Sequence, residues 1–329
     1  MASRYDAHLR HAEHYVTILQ TADELYQEGG DALKRGLLLL RCESANIHAG
    51  REWAEIQSPR SDRAAVLCSD YQKVGAFVFD LNEHPRERIV WLEVALACSL
   101  RLMDRFAEGA HLNALGMAHD ELGETRRAIW FYEQRIVIAR EVGDLHGEAK
   151  SLGNMGVAYK NSGDAHRAIE CFEAQLNISR RIKDSRGEAN ALGGLGIAHA
   201  RLGDLKRAVD YQQQSLELHR QKGDRRGEGN ATGNLAGAFF LLGDMSRAIV
   251  LYHQRLDIAR ELADRQGEGN ALWGISLVSD KTGNRAQALE YAEVALGIFE
   301  EIESPSASEL RKQFAEWGII KAFDEESVS

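Results

Sequence analysis

Proline is nearly missing from this chain, with three in 329 residues. So little proline leaves long helices open, because proline removes an amide donor and clashes with the preceding turn. Cysteine is scarce as well. Cys42, Cys68, Cys98 and Cys171 stand far apart and form no CxxC pair. That excludes a disulfide-stapled scaffold, and the expectation is free buried thiols in a cytoplasmic protein. No apolar run approaches the roughly 20 residues needed to span a bilayer, and the polar segment 1–10 lacks the apolar core of a signal peptide. An excess of positive charge is also absent, since the formal net charge is −10. Affinity for nucleic acid comes largely from Lys and Arg neutralising phosphates, so neither nucleic acid nor an anionic membrane is expected as a partner.

Glycine is plentiful, with 30 residues, and its placement is regular. Gly123-Glu124, Gly163-Asp164, Gly203-Asp204, Gly243-Asp244 and Gly283-Asn284 recur every 40 residues. A second series, Gly143-Asp144, Lys183-Asp184, Gly223-Asp224 and Ala263-Asp264, keeps the same period. Each repeat thus carries two marks about 20 residues apart, which implies two helices. Gly suits the left-handed residue just past a helix end. Asp suits the N-cap, because its carboxylate accepts amide bonds of the next helix. Pro85 and Pro305 fall at the first helical residue, where proline is tolerated.

Between the marks the apolar spacing is helical. Helix A carries Leu152, Met155, Gly156 and Tyr159, then Leu192, Leu195, Gly196 and His199 one repeat later. Helix B carries Ala168, Phe172, Leu176 and Ile178, then Ala208, Gln212, Leu216 and Leu218. Gly116, Gly156 and Gly196 lie inside helix A, where each costs about 1 kcal/mol against alanine. Their recurrence in register predicts close helix–helix approach.

The pattern Leu115-Gly116…His119…Ala128…Tyr132, repeated as Met155-Gly156…Tyr159…Ala168…Phe172, resembles the tetratricopeptide repeat. The 40-residue unit is similar to that of kinesin light chains and the Pins/LGN family. The resemblance implies an all-α, right-handed superhelical solenoid of antiparallel helix pairs. The ends carry a second resemblance. His11-Ala12-Glu13-His14-Tyr15, Asn46-Ile47 with Trp53-Ala54, and Arg88-Ile89 with Trp91-Leu92-Glu93 look like the helical segment after the ATPase module of bacterial STAND regulators. Phe299 to Pro305 followed by Trp317 is similar to how such sensor arms finish. No P-loop precedes the helical segment here.

Helix A also has a second stripe, at the second, sixth, ninth and thirteenth positions of the repeat, a spacing that stays on one face. The second position reads Ala110, Lys150, Asn190, Asn230 and Asn270. The sixth reads Ala114, Asn154, Gly194, Asn234 and Gly274, and the thirteenth reads Glu121, Asn161, Arg201, Leu241 and Lys281. Asparagine is a poor helix residue, so its recurrence asks for a reason. Its amide offers donors and acceptors that can pair with an extended peptide backbone without reading sequence. In the resembled families asparagines on this face do so, lining a concave groove. The plainer alternative is a solvated polar face copied by duplication. Lys150, Lys160, Arg201 and Lys281 add positive charge that would suit an extended acidic segment. Trp273 breaks a column of Asn113, Gly153, Gly193 and Gly233, and either plugs the groove or offers a stacking anchor. Phe240 and Leu241 are candidates for an apolar patch beside it.

Other features carry less. His8, His11 and His14 step by three along one helix, without companion carboxylates, and read as structural. Gly193-Gly194-x-Gly196 lies mid-helix with no strand before it, unlike a phosphate loop. Arg140, Arg180, Arg220 and Arg260 sit in the last turn of helix B, where they complement the helix dipole. No residue set points to catalysis, a cofactor or a metal. The expected organisation is a divergent helical region at 1–64, a degenerate repeat at 65–104, five repeats over 105–303, and a capping helix near 306–317 within a terminal segment 304–329. The expected function is a non-catalytic protein- or peptide-binding scaffold. The alternative is a regulatory sensor arm of a STAND-type system acting on a separate ATPase or effector.

Overall fold

A computed structural model describes residues 3–28, 30–74 and 84–317. The connector 75–83 inside the expected degenerate repeat, and the tail from 318 onward, lie outside the described residues. The described residues form fifteen helices and no strand. None of these helices is long and apolar enough to cross a membrane. The chain divides into two compact units, 1–164 and 165–329.

The first unit begins with α1 (Arg4–Glu28) and α2 (Gly30–Gln57), which pack on each other, and α3 (Asp62–Val74), which packs on both. Their shared core holds Leu9, Leu19, Ile47, Leu67 and Tyr71. The Tyr71 hydroxyl, deep in that core, donates to the Ala12 carbonyl at 2.9 Å. The unit continues with α4 (Pro85–Leu102), α5 (Arg105–Glu121), α6 (Thr125–Val142) and α7 (Leu145–Asn161), each packed on the one before. The second unit holds α8 (Ala165–Ile182), α9 (Ser185–Arg201), α10 (Leu205–Lys222), α11 (Arg225–Leu241), α12 (Met245–Glu261), α13 (Arg265–Lys281), α14 (Arg285–Glu301) and α15 (Ser306–Glu316).

The turn chemistry follows the sequence marks and extends them. A residue of positive φ recurs every 20 positions from Met103 to Glu303. Seven of these residues are glycine, and four are not: Met103, Lys183, Ala263 and Glu303, with φ between 51° and 59°. After the turn, Asp144, Asp224 and Asp264 cap the next helix by accepting from the amides of Gly147, Gly227 and Gly267 at 2.9, 2.9 and 3.0 Å. Glu124 is too long for this geometry and makes no side-chain cap bond. Its carboxylate instead meets His119 at 2.8 Å and Arg127 at 2.9 Å. Pro85 opens α4 directly after the His84 cap. Pro305 precedes the first residue of α15 but already has helical dihedrals, φ −54° and ψ −26°.

The helix-interior glycines mark close approach. A Cβ on Gly116 would come within 2.5 Å of the Tyr132 ring, and one on Gly196 within 2.5 Å of the Gln212 amide. Both partners are buried, so neither can swing aside. One expectation is corrected. Cys68, Cys98 and Cys171 are buried free thiols, but Cys42, on α2, is exposed.

The last helix among the described residues is α15. Leu310 and Phe314 are buried in one cluster with Leu272, Ile275, Leu296 and Phe299. Glu309, Arg311 and Lys312 lie on the exposed side of the same helix.

Candidate functional site

In the second unit, α11 packs against both α9 and α13, so three helices of type A stand side by side. The shared 40-residue register puts the same helical position of each in line. Asn190 on α9, Asn230 and Asn234 on α11, and Asn270 on α13 are all exposed. Their engagement differs. The Asn230 Oδ1 accepts from Arg255 Nη2 at 3.3 Å, and the Asn270 Oδ1 accepts from Gln266 Nε2 at 3.2 Å. Asn190 and Asn234 make no side-chain hydrogen bond among the described residues. Their amides therefore present two donors and an acceptor each to solvent.

Apolar surface lies between these amides. Ile197 and Leu277 are half-buried and Leu241 is exposed. Arg201 and Lys281, at the thirteenth position, are exposed. Phe240 is half-buried and packs on the cluster of Leu216, Leu235 and Phe239. Trp273 is also half-buried. Its ring meets Phe299 edge-on at 6.2 Å, and its indole N–H is buried without a hydrogen-bond partner. Both aromatics thus give much of their surface to the core.

The remaining candidates belong to the first unit, on α7. Lys150 is exposed. Asn154 is half-buried, and its Nδ2 donates to Asn113 Oδ1 at 3.1 Å. Lys160 is half-buried and interacts with Asp120, whose carboxyl is pushed up by burial against the pull of that lysine. Asn154 is therefore tied into a local side-chain pair, in contrast to Asn190 and Asn234.

Other polar groups serve the scaffold. His111 is buried, and its Nε2 lies 2.8 Å from Ser69 Oγ. Burial, reinforced by Lys73, pulls its pKa down to about 4, so the ring is neutral near pH 7. His8 stacks on Trp53, and His11 and His14 pack on Tyr15. The described residues contain no cluster of His, Cys, Asp or Glu able to hold a metal.

The arginine series at the end of helix B does more than answer the dipole. Nε of Arg140, Arg180, Arg220 and Arg260 donates to Glu148, Glu188, Glu228 and Glu268 at 2.6, 2.8, 2.9 and 3.0 Å. Each pair clamps one helix B to the following helix A. The constant separation of eight residues was visible in the sequence. Two further arginines escaped sequence reasoning. Arg135 and Arg255 are buried, and each binds the N-cap aspartate nine residues on, Asp144 and Asp264. Their signal was a charged residue on the inward stripe of helix B at a fixed distance before the cap.

A tetratricopeptide-repeat family model matches residues 147–221. No curated protein matches the chain. Among solved structures, the chain resembles the apo form of RapI, with 14% identity, a TM-score of 0.69, and coverage of 96% of this chain and 94% of that one. It resembles BtubC (BKLC) from P. vanneervenii with 19% identity, a TM-score of 0.59, and coverage of 68% and 93%. It also resembles a STAND protein with a tetratricopeptide repeat sensor, PH0952 from Pyrococcus horikoshii. There the identity is 15%, the TM-score 0.59, and the coverage 94% of this chain but 48% of that one.

Proposed function

We propose that this chain, whose residues 147–221 match a tetratricopeptide-repeat model, is a non-catalytic scaffold that holds an extended polypeptide against the faces of α9, α11 and α13. The observation that carries this reading is the pair Asn190 and Asn234, exposed and without an internal partner on adjacent helices. Solvated side chains with no structural task are the ones a ligand can engage without first breaking a bond. The carboxamides supply backbone-like donors and acceptors. Ile197, Leu241 and Leu277 supply apolar contact between them. Lys281 and Arg201 favour acidic side chains on the bound segment. Asn230 and Asn270 contribute through the amide atoms that their internal bonds leave unused.

A random-peptide display selection on the full chain tests this. Enriched peptides should bind Asn190→Ala/Asn234→Ala at least about fivefold more weakly, the loss of one or two hydrogen bonds, with no change in melting temperature. Equal binding by the double variant would overturn the assignment of the face.

A second reading has its own support. The likeness to the STAND protein spans nearly all of this chain but only about half of that protein. A sensor arm acting on an ATPase or effector would share that fold. Co-purification of the full chain with a neighbouring nucleotide hydrolase would support this reading, and a chain that purifies alone under the same conditions would count against it.

A further inference from the structure

The turns from helix B to the next helix A repeat closely, and two of them depart from the rest in one direction. Lys183 stands at the left-handed position, with φ 59°, which Met103, Ala263 and Glu303 also hold in turns of this kind and glycine holds at 143 and 223; lysine is the one cation among these six residues. That conformation is disfavoured for a residue with a Cβ. Two residues before the cap, Lys222 stands where Leu102, Val142, Ile182, Leu262 and Ile302 are all apolar. Two residues after the cap, Arg186 and Arg226 stand where Phe106, His146 and Gln266 stand elsewhere. His219 takes the place of Ala139, Ser179, Ala259 and Phe299.

These departures converge. Lys183, Arg186, Lys222 and His219 line one cleft of about 500 Å³, together with Asp184 and Asp224. The two carboxylates are committed to capping. Asp184 Oδ1 accepts from the amides of Arg186 and Gly187 at 3.1 and 3.0 Å. Asp224 accepts from Gly227 at 2.9 Å, and its second oxygen lies 2.9 Å from His219 Nδ1. The cations are less committed, since Arg186 and Arg226 act on Asp224 and Asp264 only at longer range than an ion pair. Lys183, Arg186 and Lys222 are exposed and form no ion pair among the described residues, and the same holds for Arg181 and Arg226 beside them. In the same turns Arg180, Arg220 and Arg225 are all paired with glutamates, so pairing is the rule from which these five depart.

Three of these cations line one cleft of a chain whose net charge is −10. Exposed cations gathered in one cleft complement a ligand of opposite charge. We infer that this cleft docks an acidic polypeptide segment of a partner, at a place distinct from the helix A face. The cations spread over two successive turns, from 181 to 226, with the two capping carboxylates set among them. A chain with spaced carboxylates can reach each cation in turn, whereas a single compact anion cannot.

The test uses the full chain and a short fluorescein-labelled peptide of alternating glutamate and serine, read by anisotropy. The variant Lys183→Gly/Arg186→Gln/Lys222→Leu installs residues that other turns of this same chain already carry, so the fold is kept. It should bind the peptide at least about tenfold more weakly with no fall in melting temperature, while Asn190→Ala/Asn234→Ala binds as the parent does. Undiminished binding by the triple variant, or loss of binding in the asparagine variant, would overturn the inference. So would equal affinity for a single-stranded DNA oligonucleotide of matched charge, or no binding by the parent chain.

Discussion

Arg255 Nη2 donates to Asp264 Oδ2 at 2.6 Å, joining a buried guanidinium on α12 to the carboxylate that caps α13. The arginine side chain is 7% exposed and the aspartate 21%. The two ends of this bond therefore differ in what their loss leaves behind. Asp264→Asn keeps a competent cap but strands a buried cation, which should cost about 3 kcal/mol. Arg255→Met leaves a carboxylate that water can reach and that still accepts from Gly267, so the loss should be about 1 kcal/mol. Urea unfolding of the two variants measures both, and the reverse order would contradict this account of the pair.

The capping aspartates also set the response to acid. Burial pushes the carboxyls of Asp144, Asp224 and Asp264 up, but the capping amides and the facing Arg135, His219 and Arg255 more than offset it, so all three lie below their ordinary value. A depressed folded pKa contributes stability above the unfolded value of about 3.9, and loses it as pH falls through the folded pKa. Melting temperature should hold steady above about pH 5 and fall steeply below about pH 4. A profile that is flat down to pH 3 would show that these groups are not stabilised by folding.

The left-handed positions separate backbone strain from contact. Ala263 has φ 51° in a turn that Gly223 makes with φ 67° one repeat earlier. A Cβ at Gly223 would meet nothing within 4 Å, so only conformation is at stake there. Ala263→Gly should raise stability by about 1 kcal/mol, and Gly223→Ala should lower it by a similar amount. Equal and negligible effects of both, in the same denaturation experiment, would remove strain from the account of these turns.

The last helix covers what would otherwise be open. Leu310 is fully buried against Phe299 and Leu296, each worth roughly 1.5–3 kcal/mol when removed from water. Truncation after Glu303 should therefore yield a protein that self-associates in light scattering. The point substitution Leu310→Asp should do the same while retaining the chain end. A monomeric truncation with an unchanged melting temperature would show that α15 is dispensable to the core.

Much of this was legible in the residues. The marks at 143, 163, 203, 223, 243 and 283 are glycines with positive φ, as the left-handed residue after a helix end favours. Lys183 and Ala263 were readable from register alone. Met103 and Glu303 were not singled out, since neither residue type signals a turn and only the cap after each betrays it. Partners across a turn were beyond a periodic pattern. Helical spacing says which face a residue occupies, whereas the bonds from Arg140 to Glu148 and from Arg255 to Asp264 depend on the angle between two helices. At the candidate face, the sequence showed the asparagines but not their engagement. Asn154 and Asn190 read alike in the pattern, yet one is bound to Asn113 and the other faces solvent.

The claim that α9, α11 and α13 hold a polypeptide is tested most directly by placing a photo-crosslinking residue at Asn234 and, separately, at the exposed Glu217 on α10. Both versions of the full chain are irradiated in cells. The account predicts a discrete polypeptide adduct from position 234 that Asn190→Ala diminishes and that position 217 does not form. An adduct from position 217 alone, or none from position 234, would contradict it.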